Sequence, residues 1–151
     1  MSPAVSGLTD HLGYLLRLVS NHVSYAFARR LEAKNVTVAE WTFVRMLYDE
    51  EPVSPSALAK TMGLTRGAIT KLADRLIAKG FVARKSDQKD RRAQTLRLTA
   101  KGERVVPELA AMADENDAQW FGGLSRSERD ALKRLLRDMV ARFAMTSMPI
   151  D

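Results

Sequence analysis

Cysteine is absent from all 151 residues, which excludes a disulfide scaffold, a thiol nucleophile, a cysteine-ligated zinc and a thiol redox switch. Histidine is nearly as scarce. His11 and His22 lie about 16 Å apart if both sit on one helix, too far to share one metal or one proton. No phosphate-loop or dinucleotide glycine fingerprint occurs, and no His-Glu-x-x-His zinc motif. The chain is therefore expected not to be an enzyme, and to need no cofactor or metal. Asp114, Glu115 and Asp117 form an acidic cluster that reads as a solvated helix surface. No apolar run approaches the roughly 20 residues of a membrane span. Met1 to Leu8 lack a basic start and a long apolar stretch, so no signal peptide is expected. A soluble, cytoplasmic protein is the expectation.

What is present is an ordinary globular balance, 46% hydrophobic and 28% charged, in a length that suits one domain with or without an appendage. The net charge of +6 is unevenly placed. Residues 1–53 carry −1, residues 54–104 carry +9 and residues 105–151 carry −2. A basic segment between neutral flanks attracts a polyanion, most commonly nucleic acid. That segment has no aromatic cluster for stacking single-stranded bases, which favours duplex DNA over a single-strand or RNA-binding module.

Apolar periodicity predicts a first helix from about Leu8 into the thirties, through Leu12, Leu15, Leu16, Val19, Val23, Phe27 and Leu31. A second helix begins where Thr37 caps, Glu40 reaches back and Val36 can staple onto Trp41. Its expected buried stripe is Trp41, Val44 and Leu47/Tyr48. Ser54 then caps a short helix with Pro55 at its first position, and Gly63 closes it in a left-handed turn. Thr65 caps the next helix, which carries Ile69, Leu72, Ala73, Leu76 and Ile77 inward and stops at Gly80. Helix, tight glycine turn and helix make a helix-turn-helix. Phe81–Lys85 and Thr95–Leu98 then read as paired strands around a polar loop, a hairpin wing. Thr99 caps a helix running to about Trp120 that Pro107 should kink. Ser125 and Glu128 open a last helix with stripe Leu132, Leu135/Leu136, Met139 and Phe143.

The helix after Thr65 is the candidate reader of DNA. Its outward positions are Arg66, Gly67, Thr70, Lys71, Asp74, Arg75 and Lys79. Gly67 and Ala68 allow close approach to a groove floor, while Arg66 and Lys71 have donors for guanine edges or phosphates. Ser54, Ser56 and Thr65 at the helix starts complete the candidate contact set. At the wing tip, Arg91 and Arg92 place cations where one can enter a minor groove, with Asp90 holding it in one rotamer.

Residues 36–104 resemble the winged helix-turn-helix of the MarR family of bacterial regulators. The resemblance runs through Val36-Thr37-Val38-Ala39-Glu40-Trp41, Leu58-Ala59-Lys60, Gly63-Leu64-Thr65 and Ile69-Thr70-Lys71-Leu72. It continues through Leu76-Ile77-Ala78-Lys79-Gly80-Phe81-Val82, Asp90-Arg91-Arg92 and Leu98-Thr99-Ala100-Lys101-Gly102. It implies a mainly α fold with a small β-hairpin wing, flanked by N- and C-terminal dimerisation helices. The corresponding division is 1–35, 36–104 and 105–151. It further implies that Arg66 to Arg75 form the recognition helix and that Arg92 reads the minor groove, oriented by Asp90. The function implied is that of a homodimeric, sequence-specific regulator of pseudo-palindromic double-stranded DNA, more often a repressor. Family members often bind aromatic acids between the dimer helices and the DNA-binding lobe, and Tyr14, Arg17 and Trp41 stand roughly where such a pocket would form. A non-specific nucleoid-type DNA-binding protein is the alternative.

Overall fold

The computed structural model describes residues 3–50, 52–86, 89 and 94–145. After a 3-10 turn at Leu8–Asp10 come α1 (Leu12–Glu32), α2 (Val38–Tyr48), α3 (Pro55–Met62) and α4 (Arg66–Ala78). β1 (Val82–Ser86) and β2 (Gln94–Leu98) pair antiparallel, with Val82 opposite Leu98 and Arg84 opposite Leu96. Helices α5 (Ala100–Phe121) and α6 (Arg126–Arg142) follow. The mainly helical fold with a hairpin wing is the one the sequence predicts.

Local chemistry sets the boundaries. Each helix start leaves backbone N–H groups without carbonyl partners, and a hydroxyl supplies one. Thr37 accepts from the Glu40 N–H at 3.1 Å while the Glu40 carboxylate accepts from the Thr37 N–H at 3.3 Å. Ser54, Thr65 and Thr99 accept from the N–H groups of Ala57, Ala68 and Gly102, each at 3.1 Å. Ser125 and Glu128 form the second reciprocal box, and the Ser125 N–H, then its hydroxyl, hold the Glu128 carboxyl below the usual carboxylate range. Gly63 and Gly80, at φ 67° and 80°, end α3 and α4 in the left-handed conformation that a side chain would strain. Asn35 does the same after α1 at φ 55°. Helix α5 runs on through Pro107 as one element.

The core lies where the end of α1, then α2, α3, α4, the hairpin and the first half of α5 meet. Leu31, Phe43, Val44, Ile69, Leu76, Leu96, Val106 and Leu109 are each at most 1% exposed. Leu31 and the pair Val106 and Leu109 thus share one core with residues 36–104. Val53 and Leu96 exchange two backbone hydrogen bonds, at 3.0 and 2.8 Å, which tack the segment before α3 onto β2. The stripe of α2 differs from expectation. Glu40, Phe43, Val44 and Leu47 face inward, whereas Trp41 is half-buried at the edge and Tyr48 is exposed. A helix repeats every 3.6 residues, so a face centred on Phe43 and Val44 leaves Trp41 and Tyr48 on its flank. Trp41 there meets Phe27 edge-on, ring centroids 6.2 Å apart.

Both predicted outer stripes remain largely uncovered in the single chain. On α1, Leu12, Leu15, Leu16 and Val19 are exposed and only Leu31 is fully buried. On α6 no residue is buried at all. A buried asparagine locks α1 to α5 instead: Asn116 donates to the Val23 carbonyl at 3.1 Å and accepts from Arg30. Arg30 also reaches Glu115 and Gln119. The acidic cluster on α5 therefore serves in part as an ion-pair partner, and no group of metal-ligating side chains occurs among the described residues.

Candidate nucleic-acid interface

Helix α4 presents two chemically distinct faces. Ile69, Leu72, Ala73 and Leu76 are buried, while Arg66, Gly67, Thr70, Lys71, Asp74 and Arg75 are exposed. The turn before it is rigid. Leu64 N–H bonds to the Ala59 carbonyl at 3.0 Å across Gly63, which closes the end of α3, and Leu58 and Met62 of α3 share one core with Ile69 and Leu72 of α4. Ser54, Ser56 and Thr65 are also exposed. The Ser54 and Thr65 hydroxyls accept from their own helix starts and keep their protons free for donation outward. Ala68 is half-buried behind Thr65. Thr70 donates back to the Arg66 carbonyl at 2.9 Å, leaving its oxygen lone pairs and methyl outward.

One predicted outward residue turns inward. The Lys79 ammonium donates to Glu40 Oε2 and to the Asn35 carbonyl, each at 2.6 Å. Periodicity put Lys79 on the solvent side, but it caps the C-terminal end of α4, where its long stem folds back to a carboxylate that is 1% exposed. Cations missed from the candidate set lie on the hairpin. Arg84 crosses from β1 to Asp74 of α4 at 2.9 Å, which ties the hairpin to α4, and Lys85 and Arg97 are exposed beside it. Alternation along β1 and β2 puts Lys85 and Arg97 on the face away from the core, whereas Arg84 shares the face of Val82, Leu96 and Leu98, so no outward alternation announced it. Asp90, Arg91 and Arg92, the expected wing tip, lie outside the described residues.

The three ligand candidates do not converge within one chain. Tyr14 is half-buried and Arg17 exposed in the first half of α1, one turn apart on the same side. Trp41 packs on Phe27, roughly 20 Å further along α1 from Tyr14 at 1.5 Å per residue. A cleft of about 260 Å³ lies between Pro55, α4 and the hairpin, bridged by Asp74 and Arg84, and one of about 480 Å³ lies between α2 and α3. Neither is lined by Tyr14, Arg17 or Trp41.

Comparison with known proteins matches these features to one family. Residues 34–93 match the MarR family profile. The chain is 26% identical over 136 residues to the HTH-type transcriptional regulator SarZ of Staphylococcus haemolyticus, covering 90% of this chain and 91% of that one. Among solved structures, CouR of Rhodococcus jostii bound to p-coumaroyl-CoA superposes with a TM-score of 0.80 at 26% identity, covering 97% of this chain and all of that one. BpsR of Bordetella bronchiseptica, whose DNA binding is regulated by 6-hydroxynicotinic acid, gives 0.77 at 26% identity over 90% of this chain and 97% of that one. With the capped helix-turn-helix, the cationic outer face of α4 and the hairpin in their expected order, the chain is similar to the winged helix-turn-helix transcriptional regulators of the MarR family, whose profile its residues 34–93 match.

Proposed function

We propose that two copies of the chain bind a pseudo-palindromic duplex, insert one α4 each into successive major grooves and so repress transcription. The observation that carries this is the face of α4, where Arg66, Thr70, Lys71 and Arg75 are exposed above a fully buried apolar face. Ser54, Ser56 and Thr65 would bind flanking phosphates, and Arg91 and Arg92 would reach the minor groove, with Asp90 orienting Arg92. Residues 36–104 would form the reading unit, with 1–35 and 105–151 joining the copies. Work in the cytoplasm follows from a DNA target, and among the described residues no helix is long and apolar enough to cross a membrane. Selection of bound fragments from random duplex should return half-sites about 34 Å apart, the repeat that a two-fold dimer imposes. Equal affinity for selected and random duplexes would leave a non-specific nucleoid-type protein instead.

Gly67 offers a sharper test of the same face. A Cβ added there meets nothing nearer than the Thr65 hydroxyl at 3.9 Å, so the fold itself does not require glycine. Glycine costs up to about 1 kcal/mol relative to alanine inside a helix. Gly67→Ala should therefore raise thermal stability while weakening binding to the selected duplex, because the added methyl meets the groove. A variant that is more stable and binds equally well would remove Gly67 from the interface.

The release signal is proposed to be a small aromatic acid, of which the 6-hydroxynicotinic acid that regulates DNA binding by BpsR is an example. Arg17 beside Tyr14 supplies a cation and a ring one turn apart. Because Trp41 lies far along α1 from both, a pocket containing all three would need Tyr14 and Arg17 of one copy to face Trp41 of its partner. A ligand shifts an equilibrium only through unequal affinity for the two states, so it should bind one dimer geometry better. Millimolar salicylate should weaken duplex binding and moderate peroxide should not, since no thiolate exists to oxidise. Arg17→Ala should blunt the salicylate response at unchanged DNA affinity. An undiminished response in that variant would exclude the Arg17 pocket.

A further inference from the structure

Glu40 is a carboxylate only 1% exposed, and the reading of α4 makes no use of it. Both its oxygens are occupied. Oε1 accepts from the Thr37 N–H at the start of α2, and Oε2 accepts from the Lys79 ammonium at 2.6 Å. Lys79 also holds the Asn35 carbonyl at 2.6 Å, in the left-handed corner that links α1 to α2. From the other side, the Lys101 ammonium of α5 donates to the Lys79 carbonyl at 3.0 Å, and Thr99 donates to the Gly80 carbonyl at 2.5 Å. The C-terminal end of α4 is thus gripped by the corner after α1 and by the start of α5.

Helix α1 reaches that corner from the uncovered apolar residues of its first half, and α5 packs along α1. Helix α1 carries exposed Leu12 and Leu16, and it is tied to α5 by Arg30–Asn116 and by Lys34–Glu108 at 3.0 Å. A pair with its carboxylate buried and its ammonium a quarter exposed is a poor source of net stability, because desolvating the charges offsets most of their attraction. Its geometry, in contrast, is narrowly defined. An apolar pair of the same volume would pack as well and leave the angle between α4 and α1 less tightly set.

We propose that Glu40 and Lys79 are positioning residues that fix the orientation of each recognition helix relative to the dimer frame, and so set the half-site spacing the regulator accepts. The inference rests on the two-half-site reading above. One inserted base pair shifts half-sites by about 3.4 Å and turns them by about a tenth of a helical repeat, so a loosened α4 should tolerate it.

The test uses the full chain and the duplex it selects from a random pool, with the centre lengthened or shortened by one or two base pairs. The parent should prefer one spacing by about tenfold or more, as expected where both half-sites must be engaged at once. Lys79→Met should flatten that preference to about twofold while binding an isolated half-site as the parent does, since the face of α4 is unchanged. If the orphaned Glu40 prevents folding, Glu40→Gln with Lys79→Met removes both charges and keeps an acceptor for Thr37. The same flattening is expected there. Retention of the parental spacing preference, or equal loss on half-sites and full sites, would overturn the positioning role. A parent with no preferred spacing would overturn the two-half-site reading along with it.

Discussion

Leu16→Glu combined with Leu135→Glu should leave a chain that sediments as a monomer at micromolar concentration and binds its selected duplex about a hundredfold more weakly or worse. The expectation follows from α1 and α6 as single-chain objects. Leu12 is 84% exposed, Leu16 50%, Leu135 54% and Phe143 62%. A scattered exposed leucine is ordinary, but whole helix stripes left open mark a surface that another molecule covers. Helix α6 has 17 residues and buries none of them. A helix of that length is marginal in water without packing on an amphipathic face, so α6 needs an external partner to persist. A second copy would present the same stripes and, in the dimer proposed above, would satisfy both helices through a two-fold axis. Glutamate at either leucine stays solvated in the monomer, so the fold should survive while the association does not. Loss of the second half-site removes the gain in effective concentration, whereas affinity for an isolated half-site should stay within about twofold. Two chains in the sedimenting species, with duplex affinity intact, would show that these stripes are covered by something else.

The features legible in the sequence are those whose cause lies within a few residues. Thr37 with Glu40, Ser54 with Pro55, Gly63, Thr65, Gly80, Thr99, and Ser125 with Glu128 each act on a partner no more than four positions away, and each falls where predicted. The exposed face of α4 is legible for the same reason, since a 3.6-residue period separates Arg66, Thr70 and Lys71 from Ile69, Leu72 and Leu76. What escapes is contact between distant segments. Nothing near Lys79 indicates that its partner lies 39 positions earlier, nor does Asn116 announce the carbonyl of Val23 across 93. The bridge between Val53 and Leu96 is a single residue pair and has no pattern of its own. Tyr14, Arg17 and Trp41 do not converge in one chain because Trp41 packs on Phe27, well along α1 from Tyr14, and nothing near Trp41 announces that partner.

Gly102→Ala should lower stability by about 2–4 kcal/mol, even though the substitution is conservative and favours helix by propensity. Gly102 lies in the first turn of α5 and is buried. A Cβ built there sits 2.1 Å from the Phe81 carbonyl oxygen and 3.1 Å from Leu98 Cδ2. The first distance is far inside van der Waals contact, and its partner is backbone, which cannot rotate away as a side-chain tip would. That carbonyl also accepts the Thr99 N–H at 3.0 Å, and the neighbouring Gly80 carbonyl accepts the Thr99 hydroxyl. Relief of the clash must therefore move α5 off the entry to β1 and break the bonds that fasten the hairpin to it. Overpacking of a well-filled site costs about 1–3 kcal/mol, and a lost buried hydrogen bond adds to that. For a chain of this size each kcal/mol corresponds to roughly 2–4 °C, so the melting temperature should fall by about 10 °C. Gly13→Ala is the internal control. Beyond the local backbone of its own helix nothing lies within 4 Å of its added Cβ, so the same substitution in α1 should be neutral or stabilising by up to about 1 kcal/mol. Because α5 also bears on Lys79 through Lys101, Gly102→Ala should loosen the recognition helix before the chain unfolds. Duplex affinity should then fall at temperatures where the helical circular dichroism is still native. A Gly102→Ala chain that melts within about 2 °C of the parent would mean that α5 can shift freely against the Phe81 carbonyl.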